Sequence, residues 1–167
     1  RKGNVVSVSW SPDGRWLCVG GMDKKAAIYS TESWGDPVQE LARGGSVNSV
    51  HWSPDGRWLC VGGMMDKKAA IYSTESWGDP VQELPRGDMV MSVHWSPDGR
   101  WLCVGGGDRK AAICSTESWG DPVQELPRGG VVASVHWSPD GRWLCVGGRD
   151  KKAAIYSTES WGDPVQE

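Results

Sequence analysis

Phenylalanine is absent from this 167-residue chain, and so is any long apolar run. No stretch approaches the roughly 18 consecutive apolar residues of a membrane-spanning helix, and no signal-peptide pattern occurs. The expectation is a cytoplasmic protein with no membrane partner. A dominant charge is lacking too: 18 basic residues stand against 21 acidic ones, for a net charge of -3. That balance gives no basic footprint for nucleic acid and no polybasic membrane patch. Sustained helical periodicity is missing, which points away from helical folds. No Cys-x-x-Cys pair occurs, and the five cysteines are an odd number. Four of them (Cys18, Cys60, Cys103, Cys145) hold one repeated place, and equivalent places in different units do not normally reach bonding distance. They read as small buried apolar residues in a reducing compartment. Cys114 stands where the other units have Tyr29, Tyr72 and Tyr156.

What the chain has in abundance is repetition. Trp-Ser-Pro-Asp-Gly-Arg-Trp-Leu-Cys-Val-Gly-Gly starts at Trp10, Trp52, Trp95 and Trp137, at intervals of 42, 43 and 42 residues. Copying of one unit explains why 12 tryptophans, three per unit, coexist with no phenylalanine. A fixed period of this length marks a repeat architecture whose units cannot each bury a core alone. The units are 1–42, 43–85, 86–127 and 128–167. In the second, Ser46 to Trp52 alternates apolar and polar residues as a half-buried strand does. Pro54-Asp55-Gly56 makes a tight turn, because Pro pre-sets φ and Gly supplies a positive one. Trp58 to Val61 is a short buried strand, Ala69 to Thr74 a third, and Pro80 to Leu84 a fourth, with its proline suited to an outer edge. Four short strands every 42 residues describe one blade of a β-propeller. The fold class is therefore all-β, with four four-stranded blades.

The same residues resemble the WD-repeat β-propellers over the whole chain. The resemblance is carried by the Ser-Pro-Asp-Gly turn after an aromatic, the Leu-Cys-Val-Gly-Gly strand, the aspartate of the next turn (Asp23, Asp66, Asp108, Asp150) and the Ile-Tyr-Ser strand. Two departures stand out. Arg-Gly-Gly or a variant replaces the family's opening Gly-His, and Tyr29-Ser30 and its equivalents replace the Trp-Asp pair. The family's buried His–Ser–Asp–Trp network is therefore incomplete here.

The copies disagree at only a few places. Six residues before the common tryptophan stand Asn4, Ser46, Met89 and Val131; four before it stand Val6, Asn48, Met91 and Ala133. The valine between them never changes. A third variable place precedes the turn aspartate: Met22, then Met64-Met65, then Gly107, then Arg149. Smaller differences occur at Lys2, Asp88 and Arg109. Residues i and i+2 of a strand face the same way. In a WD-like blade the start of the first strand and the loop between the second and third share a rim, so all three places are expected on one face. Clustered change on a constant scaffold is what a recognition surface looks like. This resembles the high-identity WD-repeat arrays of fungal NOD-like receptors and heterokaryon-incompatibility proteins, which implies non-self recognition; a designed propeller with a varied face has the same pattern. Neutral tolerance of exposed loops is the plain alternative.

Other residues point to bland roles. His51, His94 and His136 precede the strand tryptophan. A metal site needs its ligands around one ion, and equivalent residues of neighbouring blades are expected to lie too far apart unless they crowd the axis. Asp13, Asp55, Asp98 and Asp140 sit in Pro-Asp-Gly turns as turn formers. Catalysis needs an acid and a base in different environments, and fourfold copying supplies one environment four times. No enzyme, no metal and no cofactor is expected. Trp34, Trp77, Trp119 and Trp161 lie in the Glu-Ser-Trp-Gly-Asp-Pro loop; they form a possible second binding face, for sugars or a subunit, or cover the ends of their own blades.

WD-type rings usually hold seven or eight blades. Two four-blade chains stacked head to tail would close one ring of eight, so a homodimer is expected, with a monomeric four-blade ring and a fragment of a longer array as the alternatives. The function expected is a non-catalytic scaffold presenting a variable rim to a protein or other macromolecule. The rival expectations are a structural or engineered repeat protein with no natural ligand, and a lectin using the loop tryptophans.

Overall fold

A computed structural model describes residues 3–167; the variable Lys2 lies outside the described residues. Among these residues all regular structure is β, in four antiparallel sheets laid down in chain order. The first strand of each sheet is β1 (Val5–Trp10), β5 (Val47–Trp52), β9 (Val90–Trp95) or β13 (Val132–Trp137). The second is β2 (Trp16–Gly21), β6 (Trp58–Gly63), β10 (Trp101–Gly106) or β14 (Trp143–Gly148). The third is β3 (Lys25–Ser30), β7 (Lys68–Ser73), β11 (Lys110–Ser115) or β15 (Ala153–Ser157). Outer strands are β4 (Gln39–Ala42), β8 (Gln82–Pro85) and β12 (Gln124–Pro127). The fourth blade has three strands, and its outer place is held by an isolated bridge, Ile155 to Gln166. The fourth strand expected in every blade is here shortened to that bridge. This is the four-bladed β-propeller arrangement expected from the repeat.

Local chemistry sets the turns. In the first blade the Ser11 hydroxyl donates to Asp13 Oδ1 at 2.6 Å and accepts from Trp16 N at 2.9 Å, while Gly14 N donates to Ser11 O at 2.9 Å. Gly14 has φ of 71°, a conformation that favours glycine, and the three equivalent glycines share it. The aspartates of these turns are structural. The Ser11 hydroxyl and the Arg15 amide hold the Asp13 carboxyl below its ordinary value.

The core lies between blades. One buried cluster joins Cys18, Ile28 and Leu41 of the first blade to Val47, Val50, Trp52 and Leu59 of the second, and two more clusters repeat the pattern along the array. Val47 and Val50 press on Gly20, where a Cβ would collide with Val47; at Gly62 an added Cβ would lie 2.7 Å from Val90 Cγ1. Burying each such valine contributes about 1.5–3 kcal/mol, and a lone sheet has no neighbour against which to do so. Polar contacts recur at each junction. Trp52 Nε1 donates to Ser9 O, Trp95 Nε1 to His51 O and Trp137 Nε1 to His94 O, at 3.0–3.1 Å. Val50 N, Val93 N and Val135 N each donate to a serine hydroxyl of the preceding blade at 3.1 Å.

The arginine between blades is buried at each junction. Arg43 N donates to Lys24 O of the first blade, and its guanidinium pairs with Asp66 of the second at 2.5 Å and reaches Tyr72 Oη at 3.2 Å. Arg86–Asp108 and Arg128–Asp150 repeat the pair at 2.7 and 2.9 Å. All three arginine side chains are at most 6% exposed. A buried Arg–Asp pair thus recurs at each of the three junctions between blades.

Candidate functional site

The three variable places come together at one end of each first strand. Met22 N donates to Asn4 O, Met64 N to Ser46 O, Gly107 N to Met89 O and Arg149 N to Val131 O, each at 2.9 Å. The residue before the turn aspartate is therefore tied to the residue that opens the strand. The remaining place is a β-bulge. Val5 pairs with Gly21 and Ser7 with Gly20, so Val6 is the extra residue, and Asn48, Met91 and Ala133 occupy the same bulge in the other blades. A bulge residue is released from the ladder and re-aimed. Asn48 shows the result: its side-chain amide donates to Val90 O of the next blade at 3.0 Å and lies 3.7 Å from Met91 Sδ. Variable positions of the second and third blades therefore touch.

Its composition is distinctive. The chain has five methionines, and all five (Met22, Met64, Met65, Met89 and Met91) stand at variable places. Met65 is 70% exposed and Met22 54%. Methionine is flexible and polarisable, and it suits surfaces that adapt to partners. The extra residue of the second blade, Met65, is accommodated in the turn without disturbing the register of β6 on β7. Beside the variable places each blade keeps a cation, Lys24, Lys67, Arg109 or Lys151, each with φ between 52° and 67°. Copy-to-copy comparison marks Arg109 as a smaller difference and passes over Lys24, Lys67 and Lys151, which are identical. Their signal is the turn itself, which puts a left-handed residue just after the aspartate.

The histidines differ from expectation. Blade spacing predicts that they stay apart, yet the His51 and His94 ring centroids are 4.0 Å apart and those of His94 and His136 are 3.9 Å apart. First strands converge on the axis, and this brings their side chains into a stack. His51 Nδ1 accepts from Trp95 N at 3.3 Å, so that ring is neutral. Burial pushes the His51 pKa down to about 4, with His136 adding to the shift. Burial also takes His94 to about 3, helped by both neighbouring imidazoles. The ring planes are tilted to each other by 32° and 41°. Among the described residues, no group of three or more His, Cys, Asp or Glu side chains is placed to hold one metal ion.

The loop tryptophans pack on their own blades. Trp34, Trp77, Trp119 and Trp161 stand edge-on to Trp10, Trp52, Trp95 and Trp137, with centroids 5.8–6.2 Å apart and planes within 3° of perpendicular. Trp77, Trp119 and Trp161 join the cores between blades, and only Trp34 is largely exposed, at 62%. Edge-to-face contact with an inner-strand tryptophan accounts for their presence.

Comparison with known families agrees with this architecture. The family described as Eukaryotic translation initiation factor eIF2A matches residues 1–104. The family described as WD domain, G-beta repeat matches residues 120–157. No curated protein matches the chain. The WD match begins in the loop before the third blade's outer strand and ends with the third strand of the fourth blade, so it crosses a blade junction as the interlocked core does.

Proposed function

The chain belongs to the family described as Eukaryotic translation initiation factor eIF2A, and from that premise we propose that it is a non-catalytic protein-interaction scaffold whose variable rim selects a macromolecular partner. The observation that carries this reading is that every methionine of the chain stands at a place where the copies differ, at the same end of the first strands. A constant frame supplies rigidity: Arg–Asp pairs and valine–glycine contacts repeat at each junction, while the rim side chains change. Rigid support with adaptable contact groups is a sound design for binding. The turn cations beside the methionines favour a partner that offers acidic groups around an apolar centre. The family description names a translation initiation factor, so proteins of the translation apparatus are the first partners to try. Recognition of a non-self ligand is the finer form of the same reading, supported by the clustered variation alone.

The test exchanges the first blade's rim for the fourth's, Asn4→Val, Val6→Ala and Met22→Arg together, and places a photo-crosslinking residue at Met65. Partners crosslinked from the wild-type protein are expected to be lost or replaced in the exchanged protein, with an unchanged melting temperature. An identical partner set from both proteins would overturn the reading and favour a structural repeat without a ligand.

A further inference from the structure

We infer that the exposed flank of the first blade docks head to tail on the exposed flank of the fourth blade of a second copy, so that two chains close one ring of eight blades. The chain carries three examples of the contact that would be made. At each internal junction two valines and a tryptophan of a first strand enter the next surface. Val132, Val135 and Trp137, for instance, are at most 2% exposed and share a core with Cys103 and Ile113, against which Trp101 packs. At the front of the array the same three residues have no cover: Val5, Val8 and Trp10 are 53–59% exposed. At the back the matching seat is empty. A 540 Å³ apolar hollow is lined by Trp143, Cys145 and Ile155, the equivalents of Trp101, Cys103 and Ile113. A Cβ built on Gly147 meets nothing within 4 Å, whereas one on Gly20, Gly62 or Gly105 collides with a valine of the next blade.

The occupant is fixed by this match. The seat was shaped by copying for a Val–x–x–Val–x–Trp strand, and the uncovered Val5, Val8 and Trp10 of another copy are that strand. Its hydrogen bonds follow from the internal junctions. Ser134, equivalent to Ser7, Ser49 and Ser92, would accept from Val8 N of the second copy; His136 O, equivalent to Ser9 O, His51 O and His94 O, would accept from its Trp10 Nε1. The contact is heterologous, so it must either close or propagate. The stacked histidines show the first strands gathering on one axis, and added blades continue around it. Two chains are the smallest assembly that covers both flanks of every chain.

Light scattering on a sizing column tests this with the 167-residue chain. The expected mass is twice the 18.2 kDa of one chain. A mass of one chain at every concentration overturns the proposal, as does a mass that climbs without limit. Two variants locate the contact. Val8→Arg and Gly147→Leu both alter surfaces that nothing within the chain covers, so each is expected to fold, as circular dichroism would verify, and to run as a monomer. Mixing them should restore pairs, since each supplies the flank the other lacks. Loss of pairing in V8R with none in G147L would mean two first-blade flanks meet each other, and would overturn the head-to-tail contact. Cys145 gives an independent readout. It is exposed, while its equivalents Cys18, Cys60 and Cys103 are fully buried. Its alkylation should be slow in the wild-type protein and at least tenfold faster in either variant; equal rates would count against docking.

Discussion

Cys114 shows how one substitution is felt in a copied structure. Tyr72 and Tyr156 offer their hydroxyls to Arg43 and Arg128 at 3.2 and 3.3 Å. In the third blade the equivalent Arg86 has no tyrosine and keeps only the acidic partners that all three arginines share, here Asp108 and Glu125. Lys110 donates to the Glu125 carboxyl and holds its pKa down, with Arg86 adding to the effect. Cys114→Tyr should restore the missing bond and stabilise the chain by about 1 kcal/mol, measured by urea unfolding; no gain would mean the ring does not fit the third blade. The arginine itself matters more. Removing the guanidinium in Arg128→Ala leaves Asp150 and Tyr156 without their partner and should cost about 3 kcal/mol. The sequence disclosed that Arg-Gly-Gly stood in place of Gly-His. It did not disclose that the arginine meets the aspartate of the following turn, because that pairing spans more than 20 residues and depends on how two blades abut.

Strands and turns are written locally and were legible. Apolar alternation marks the first strands, the Ser-Pro-Asp-Gly side chains close their own turn, and Gly-Gly ends the second strands. The bulge at Val6, Asn48, Met91 and Ala133 was not legible, since alternation alone treats positions six and four before the tryptophan as equivalent neighbours. Nor was the histidine stack, which forms only because β5, β9 and β13 converge. That stack makes stability depend on pH. The His51 and His94 pKa values in the folded chain, about 4 and about 3, lie below the ordinary value of 6.5. Unfolding therefore takes up protons in the window below 6.5. Stability is full above that value and falls as the pH drops through about 4 toward 3. Thermal melts from pH 7 to 4 should show this decline. His51→Ser with His94→Ser, which copies Ser9 of the first blade, should flatten it; an equally steep profile in the double variant would show that carboxylates dominate.

At the scale of the whole molecule the repeat creates a core between blades and leaves two flanks without one. Three junctions are filled by the same valines and tryptophan, and each flank presents half of a fourth. If a second copy supplies the other half, the melting temperature should rise with protein concentration, because ligation by another chain stabilises the folded state by mass action. The V8R variant should lose that dependence, and a wild-type melt independent of concentration would speak against pairing. The rim is a property of this scale as well. Its residues are scattered from position 4 to position 149, yet backbone bonds and bulges bring them to one end of the first strands.

By itself the sequence determined the repeat, the four strands per unit, the turn chemistry and the places where copies differ. Each of these rests on contacts within about a dozen residues, and such contacts are specified by neighbouring side chains. Only the tertiary structure decided which linker arginine meets which aspartate, that the histidines stack, that the loop tryptophans are packed edge-on, and that Gly147 faces open space. Those outcomes depend on contacts between residues more than 20 positions apart, within a blade for the tryptophans and between sheets for the rest, which no local pattern encodes.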